Sequence, residues 1–240
     1  MLRAPLLPGC GLAALLLALP AGAGGGGVTI TSYGHSALLI NGGGSSVLVN
    51  PFKAVACASG LAEPRVRADV ALASSRLRDE GAPVASARLL ADPGSYRVAG
   101  LKLEGLAVPH DRVDGRRFGS AVVWRWNQGG LDFAHLGGVA GAIKPEDKVL
   151  LGRPDVLILG VGGGAKVYDG AEAAAVVREL RPRVVIPVQY VRGDKTPRNC
   201  DQSGIQPFLT ALGSATVKRP GATLSLVGPL PEGPVVQLMR

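Results

Sequence analysis

Residues 69–81 read DVALASSRLRDEG. Asp69 opens an apolar run, Val70-Ala71-Leu72-Ala73, short enough for a buried strand. A polar, charged segment follows at once: Ser74, Ser75, Arg76, Leu77, Arg78, Asp79 and Glu80, closed by Gly81. An apolar strand that delivers polar side chains at its carboxyl end is where α/β proteins place function. A solvated loop after a strand has the same composition, so the rest of the chain has to decide.

Upstream, residues 28–32, 37–40 and 47–49 are rich in Val, Ile, Leu and Thr, with glycines at 42–44 between the last two runs. They predict a three-strand meander. Downstream, 87–91 reads as a strand. Two hairpins follow, 96–98 with 101–108 and 120–126 with 131–135. From 144 the pattern changes. A short helix is expected over 144–151, with Pro145 early in it, and 156–161 is a continuous apolar run of the kind buried on both faces. Asp169 is placed to cap a helix over 171–180, which Pro182 ends, and 184–188 is the next strand. A short helix at 206–212 and strands at 223–227 and 235–238 complete a β-rich first half and an α/β second half. Polar residues recur at strand ends: His35, the Asp79 loop, His110, His135, Gln189 and Tyr190. Trp124 and Trp126 alternate along one strand, so one is expected in the core and one at the surface.

The 240 residues suffice for one large domain, and 47 % hydrophobic content supports a real core. Aromatics are only 4 %, so that core is built from Val, Leu, Ala and Ile. The net charge of +8 favours anionic partners. No run of basic residues interleaved with aromatics occurs, which argues against nucleic acid. Docking on an anionic membrane surface remains a third class of function. No Gly-Lys-Ser/Thr phosphate loop and no G-x-S-x-G nucleophile turn is present.

Residues 1–23 read as a secretory signal peptide: Arg3, an apolar run at 11–19, Pro20, then Ala21-Gly22-Ala23 as the cleavage signal. The run is too short to span a bilayer, so no stable membrane span is expected after cleavage. Residues 24–27 form a glycine linker and 28–240 the folded domain. Export places the protein in the periplasm, or in the thylakoid lumen of a phototroph. Once the leader is removed, Cys57 and Cys200 remain, and in an oxidising compartment they are a candidate disulfide; two separate buried thiols are the alternative.

Five segments in this order resemble the metallo-β-lactamase-fold hydrolase superfamily. Tyr33-Gly34-His35-Ser36 with Val47-Leu48-Val49-Asn50-Pro51-Phe52 is similar to its opening GHS…DPF pair. The 70–80 stretch sits where the family carries H-x-H-x-D-H. Val108-Pro109-His110-Asp111 resembles the segment of a later metal-binding histidine. His135-Leu136-Gly137-Gly138 resembles HLGD, and the run from Asp155 to Tyr190 resembles the closing strand–VGG–helix–IPMHY segment. The resemblance implies an αβ/βα four-layer sandwich with the site at one edge between two mixed sheets. It also implies two metals, usually zinc, that activate water for hydrolysis.

On that resemblance most ligand positions carry other residues. The two histidines of H-x-H fall on Ser75 and Leu77, the aspartate is kept as Asp79, and the last histidine falls on Glu80. His110 is kept, the bridging aspartate falls on Gly138, and the closing histidine on Gln189. Three outcomes are open. Asp79 serves only an ion pair with Arg76 or Arg78. A single metal, zinc on the family's precedent, sits on Asp79, Glu80 and His110 with His135 nearby, and the chain is a hydrolase with a rebuilt site. Or no cofactor binds, and the old cleft (His35, Ser75, Arg76, Arg78, His135, Gln189 and Tyr190, with Arg192) takes a small anionic ligand or serves a protein partner.

Overall fold

The computed structural model describes Met1 and residues 26–193 and 195–240. The expected signal peptide and Gly24 and Gly25 of the linker lie outside the described residues. Of the two linker glycines that are described, Gly26 and Gly27, the second is already the first residue of a strand.

The meander forms as expected: β1 (Gly27–Gly34), β2 (Ala37–Gly42) and β3 (Ser45–Val49). Gly43 and Gly44 make the β2–β3 turn with φ of 58° and 79°, the left-handed pair that tight hairpins need. β4 (Val70–Leu72) and β5 (Arg88–Leu90) then add in parallel beyond β3. β13 (Thr223–Val227) closes the other side of β1, so the first sheet runs β13-β1-β2-β3-β4-β5.

The second sheet begins with β6 (Gly94–Val98), β7 (Leu101–Pro109), β8 (Ser120–Gln128) and β9 (Leu131–Leu136), joined as antiparallel hairpins. The helix α1 (Pro145–Leu151) leads into β10 (Val156–Gly160). The helix α2 (Gly170–Leu180) crosses to β11 (Val184–Val188), parallel to β10. The short helix α3 (Gln206–Leu212), then β12 (Thr216–Gly221) and β14 (Val235–Met239), complete the order β12-β14-β11-β10-β9-β8-β7-β6. β12 was not anticipated: Thr216-Val217-Lys218-Arg219-Pro220 is a charged edge strand with little apolar signal. Asp169 caps α2 as expected, in a full capping box with Glu172.

The two mixed sheets pack face to face. Ile30, Ile40, Val47 and Leu72 of the first meet Leu103, Trp124, Phe133, Ile158 and Ile186 of the second. The alternate residues Leu157, Leu159 and Val185 face outward, under α2 and α3. β10 and β11 are therefore buried on both faces, which is why they read as unbroken apolar runs. The described α-helices all contribute to that outer layer. The first sheet carries loops and one 3-10 turn, Ala56–Ala58, whose Ala58 packs with Ala37 and Phe52.

Trp124 and Trp126 correct the expectation of one inside and one out. Both are buried, at 0 % and 2 % exposure. Residues two apart on a strand share a face. Trp126 stacks on Phe133, and Trp124 Nε1 donates to Ala73 O at 2.8 Å, across the sheets. With Val122 N donating to Ser74 O at 2.7 Å, this stitches the two sheets together where β4 ends. No helix among the described residues is long and apolar enough to cross a membrane.

Candidate functional site

The site is built on the ends of β3, β4, β7, β9, β10 and β11. Asn50, just past β3, takes φ of 42°, and Ser74 N donates to its Oδ1 while its Nδ2 donates to Ser74 Oγ, both at 2.8 Å. Ser74 Oγ in turn accepts Gly138 N at 3.0 Å. This fully buried hub joins three strand ends and fixes the start of the 74–80 segment. Sequence reading passed over it, because Asn50 and Ser74 look like ordinary turn residues.

Glu80 is the centre. Its side chain is buried and takes hydrogen bonds from Ser75 Oγ at 2.5 Å and from Gln189 Nε2 at 2.6 Å. His110 Nε2 lies 3.1 Å from Oε1, off the line of a good hydrogen bond. Burial pushes the Glu80 carboxyl up, but the contacts from His110, Ser75 and Gln189 pull it down further, below the usual carboxylate range. It is an anion at neutral pH.

Gly138 lies against that carboxylate. A Cβ at this position would fall well inside 3.0 Å of both Glu80 oxygens. Gln189 approaches from β11 with φ of 52°, and its N donates to His35 O at 3.1 Å. His35 and His135 are buried beside the carboxylate, within reach of its charge. Burial lowers each imidazole to about 4, and Glu80 opposes this only in part. His35 Nε2 and both nitrogens of His135 have no hydrogen-bond partner.

Asp79 is half-buried. Burial, and then the neighbouring Glu80 charge, push its carboxyl up. The expected ion pair of Asp79 with Arg76 or Arg78 does not form. Arg76 reaches along the surface to Asp92 at 2.7 Å, and Arg78 is exposed. The other side of the cleft is the 111–119 loop. Asp111 accepts backbone N–H groups from Val113, Gly115, Arg117 and Phe118 at 2.7–3.0 Å. Those bonds outweigh burial and hold its carboxyl low. Gly115 and Gly119, both at positive φ, let the chain make this turn. Cys57 and Cys200 form a disulfide, with Cα atoms 4.4 Å apart. It ties the loop after β3 to the loop after β11.

With the fold and this edge site defined, the relationship to known proteins is direct. A family profile described as a beta-lactamase superfamily domain matches residues 29–189. The chain belongs to the metallo-β-lactamase superfamily.

Among solved structures, a candidate Zn-dependent hydrolase of this superfamily from Thermotoga maritima has 26 % identity and a TM-score of 0.70 over 89 % of this chain and 100 % of that one. The metallo-beta-lactamase fold protein YhfI from Bacillus subtilis has 11 % identity and a TM-score of 0.58, covering 84 % of this chain and 99 % of its own. A candidate metal-dependent hydrolase from Parabacteroides distasonis has 19 % identity and a TM-score of 0.56, covering 78 % and 89 %. No curated protein matches the sequence significantly.

Metal chemistry of this superfamily's kind needs three or four N, O or S donors per ion. Among the described residues no group of three or more His, Cys, Asp or Glu is arranged to hold one. Of the trio Asp79, Glu80 and His110, only the last two meet. Leu77 offers no donor, and Gln189 spends its amide N–H on Glu80. Glu80 and His110 by themselves do not make up that number.

Proposed function

We propose that this chain is an exported superfamily member that binds a ligand in the old cleft without hydrolysing it. The observation that carries the reading is the Glu80 carboxylate packed over Gly138 and held by Ser75, Gln189 and His110. A buried carboxylate whose two oxygens already have partners is a finished structural unit, and it has little coordination capacity left. On the family resemblance, Gly138 stands at the bridging aspartate's position. One anion then takes the place of another and leaves the metal cage without its histidines. Export is supported by the leader-like residues 1–23 and by the Cys57–Cys200 bond, which belongs to oxidising compartments. The ligand is taken to be a small anion, not nucleic acid, given a basic surface without base-stacking stripes.

The test is metal content. The chain from Gly24 onward is purified without a His-tag or chelator, dialysed against zinc or manganese, and measured by elemental analysis. Content far below one metal per chain is the expected result. One metal per chain, lost in His110→Ala together with esterase, lactonase or phosphodiesterase activity, overturns the reading in favour of a mononuclear hydrolase.

A further inference from the structure

We propose that the mouth of this cleft binds a small organic anion, with an apolar body in the recess beside His110 and a carboxylate or phosphate head on Lys166 and Arg117. The inference rests on the binding role argued above and names its ligand class.

The recess measures about 400 Å³. Leu77, Phe118 and Val122 give it apolar walls, and Ser75, Ser120 and His110 supply a few polar atoms. A mostly apolar concavity with sparse polar groups is what a small organic molecule needs. At its rim Arg76 is neutralised by Asp92.

The charge comes from two neighbouring loops. Lys166 Nζ sits 5.5 Å from the Phe118 ring centre and Arg117 Cζ 4.9 Å from it. The Phe118 ring is itself 6.3 Å from His110, so these cations border the buried site. The charge of Lys166 also acts on His35 and Asp79, in keeping with that position.

Other rim cations are used: Lys53 pairs with Glu63, and Arg112 with Glu172. Lys166 and Arg117 make no ion pair among the described residues. The nearby Asp201 accepts Ala165 N at 2.9 Å and pairs with neither cation.

The loops that carry these cations are also held in place. Arg112 donates to Gly164 O at 2.6 Å and to Val167 O at 3.0 Å, bracing the loop that carries Lys166. Asp111 fixes the loop that carries Arg117 and Phe118. Preorganised, unpaired cations around an apolar recess select an anion with a hydrophobic body.

Isothermal titration of the chain from Gly24 onward with 2-naphthoate, 2-naphthyl phosphate and neutral 2-naphthol tests this. The anions are expected to bind at least about tenfold more tightly than 2-naphthol, with a gap that shrinks as salt rises. Lys166→Met and Arg117→Met, checked for native circular dichroism, should each weaken the anions several-fold and leave 2-naphthol unchanged. Equal affinity for 2-naphthol, no binding of either anion, or unaltered anion affinity in both folded variants overturns the assignment. Release of 2-naphthol from the phosphate ester would overturn the non-hydrolytic role and still support an anion site.

Discussion

The Glu80 carboxylate fills the space that a side chain on Gly138 would need, so the two residues are sterically exclusive. Glu80 cannot swing aside without breaking its bonds to Ser75 and Gln189. Gly138→Ala should therefore cost about 1–3 kcal/mol by overpacking. In a Glu80→Ala background the same change should cost less than about 0.5 kcal/mol, because the obstacle is gone. Urea unfolding of the four proteins measures the coupling. Additive costs would show that the carboxylate does not occupy that space in solution.

Removing Glu80 has its own cost. Glu80→Ala leaves Ser75 Oγ, Gln189 Nε2 and His110 facing a buried void. Unsatisfied buried donors and the cavity together should destabilise by about 2–4 kcal/mol. Glu80→Gln keeps the volume but turns one acceptor into a donor that faces donors, so it should recover only part of the loss. Full recovery would mean that packing, not charge, holds the site together.

Stability should fall steeply in mild acid. His35 and His135 drop from 6.5 to about 4 on folding because burial disfavours the cation. Between those values the unfolded chain binds protons that the native state refuses. Stability is thus complete above pH 6.5 and declines as pH falls toward 4. Two such sites give a slope of about 2–3 kcal/mol per pH unit. Glu80 extends the loss below this window, since its lowered carboxyl stabilises the fold only while ionised. Asp79, shifted upward, works in the opposite sense and offsets part of it. Urea midpoints from pH 7 to 4.5 measure the slope, and His135→Asn should roughly halve it. A flat profile would place these imidazoles in water.

What the sequence disclosed follows the same physics. β10 and β11 were legible because both of their faces are buried, and α2 because Asp169 and Pro182 mark its ends. β12 was hidden, since its signal lies in pairing with β14 and not in its own residues. Ser75, Glu80, His110 and Gln189 were each visible at strand ends. Their convergence was not, because it depends on how far two sheets bring residues 109 apart in sequence together. Lys166 gave no local sign: its place at the mouth comes from the Arg112 and Asp201 braces on its loop.

The Cys57–Cys200 bond closes a loop of 143 residues. Chain entropy alone assigns it about 5 kcal/mol, and measured losses for native disulfides run from about 2 to 5. Cys57→Ser/Cys200→Ser should lose an amount in that range in oxidised buffer. The same value should appear on reducing the natural chain. No difference between the double variant and the oxidised protein would mean that the bond is absent in solution.

Asp111 offers a more local test. Its two oxygens gather four backbone amides and so set the path that carries Arg117 and Phe118 to the cleft. Asn at this position keeps one acceptor oxygen and presents an NH₂ to amides that also donate. Asp111→Asn should speed hydrogen exchange at Arg117 and Phe118, or at Val113 and Gly115, by at least about tenfold through local opening. Exchange in β8 and β10 should stay unchanged, because those strands are protected by the core and not by this turn. Exchange rising uniformly across the chain would instead make Asp111 a determinant of global folding, and the cleft wall would then have no independent support.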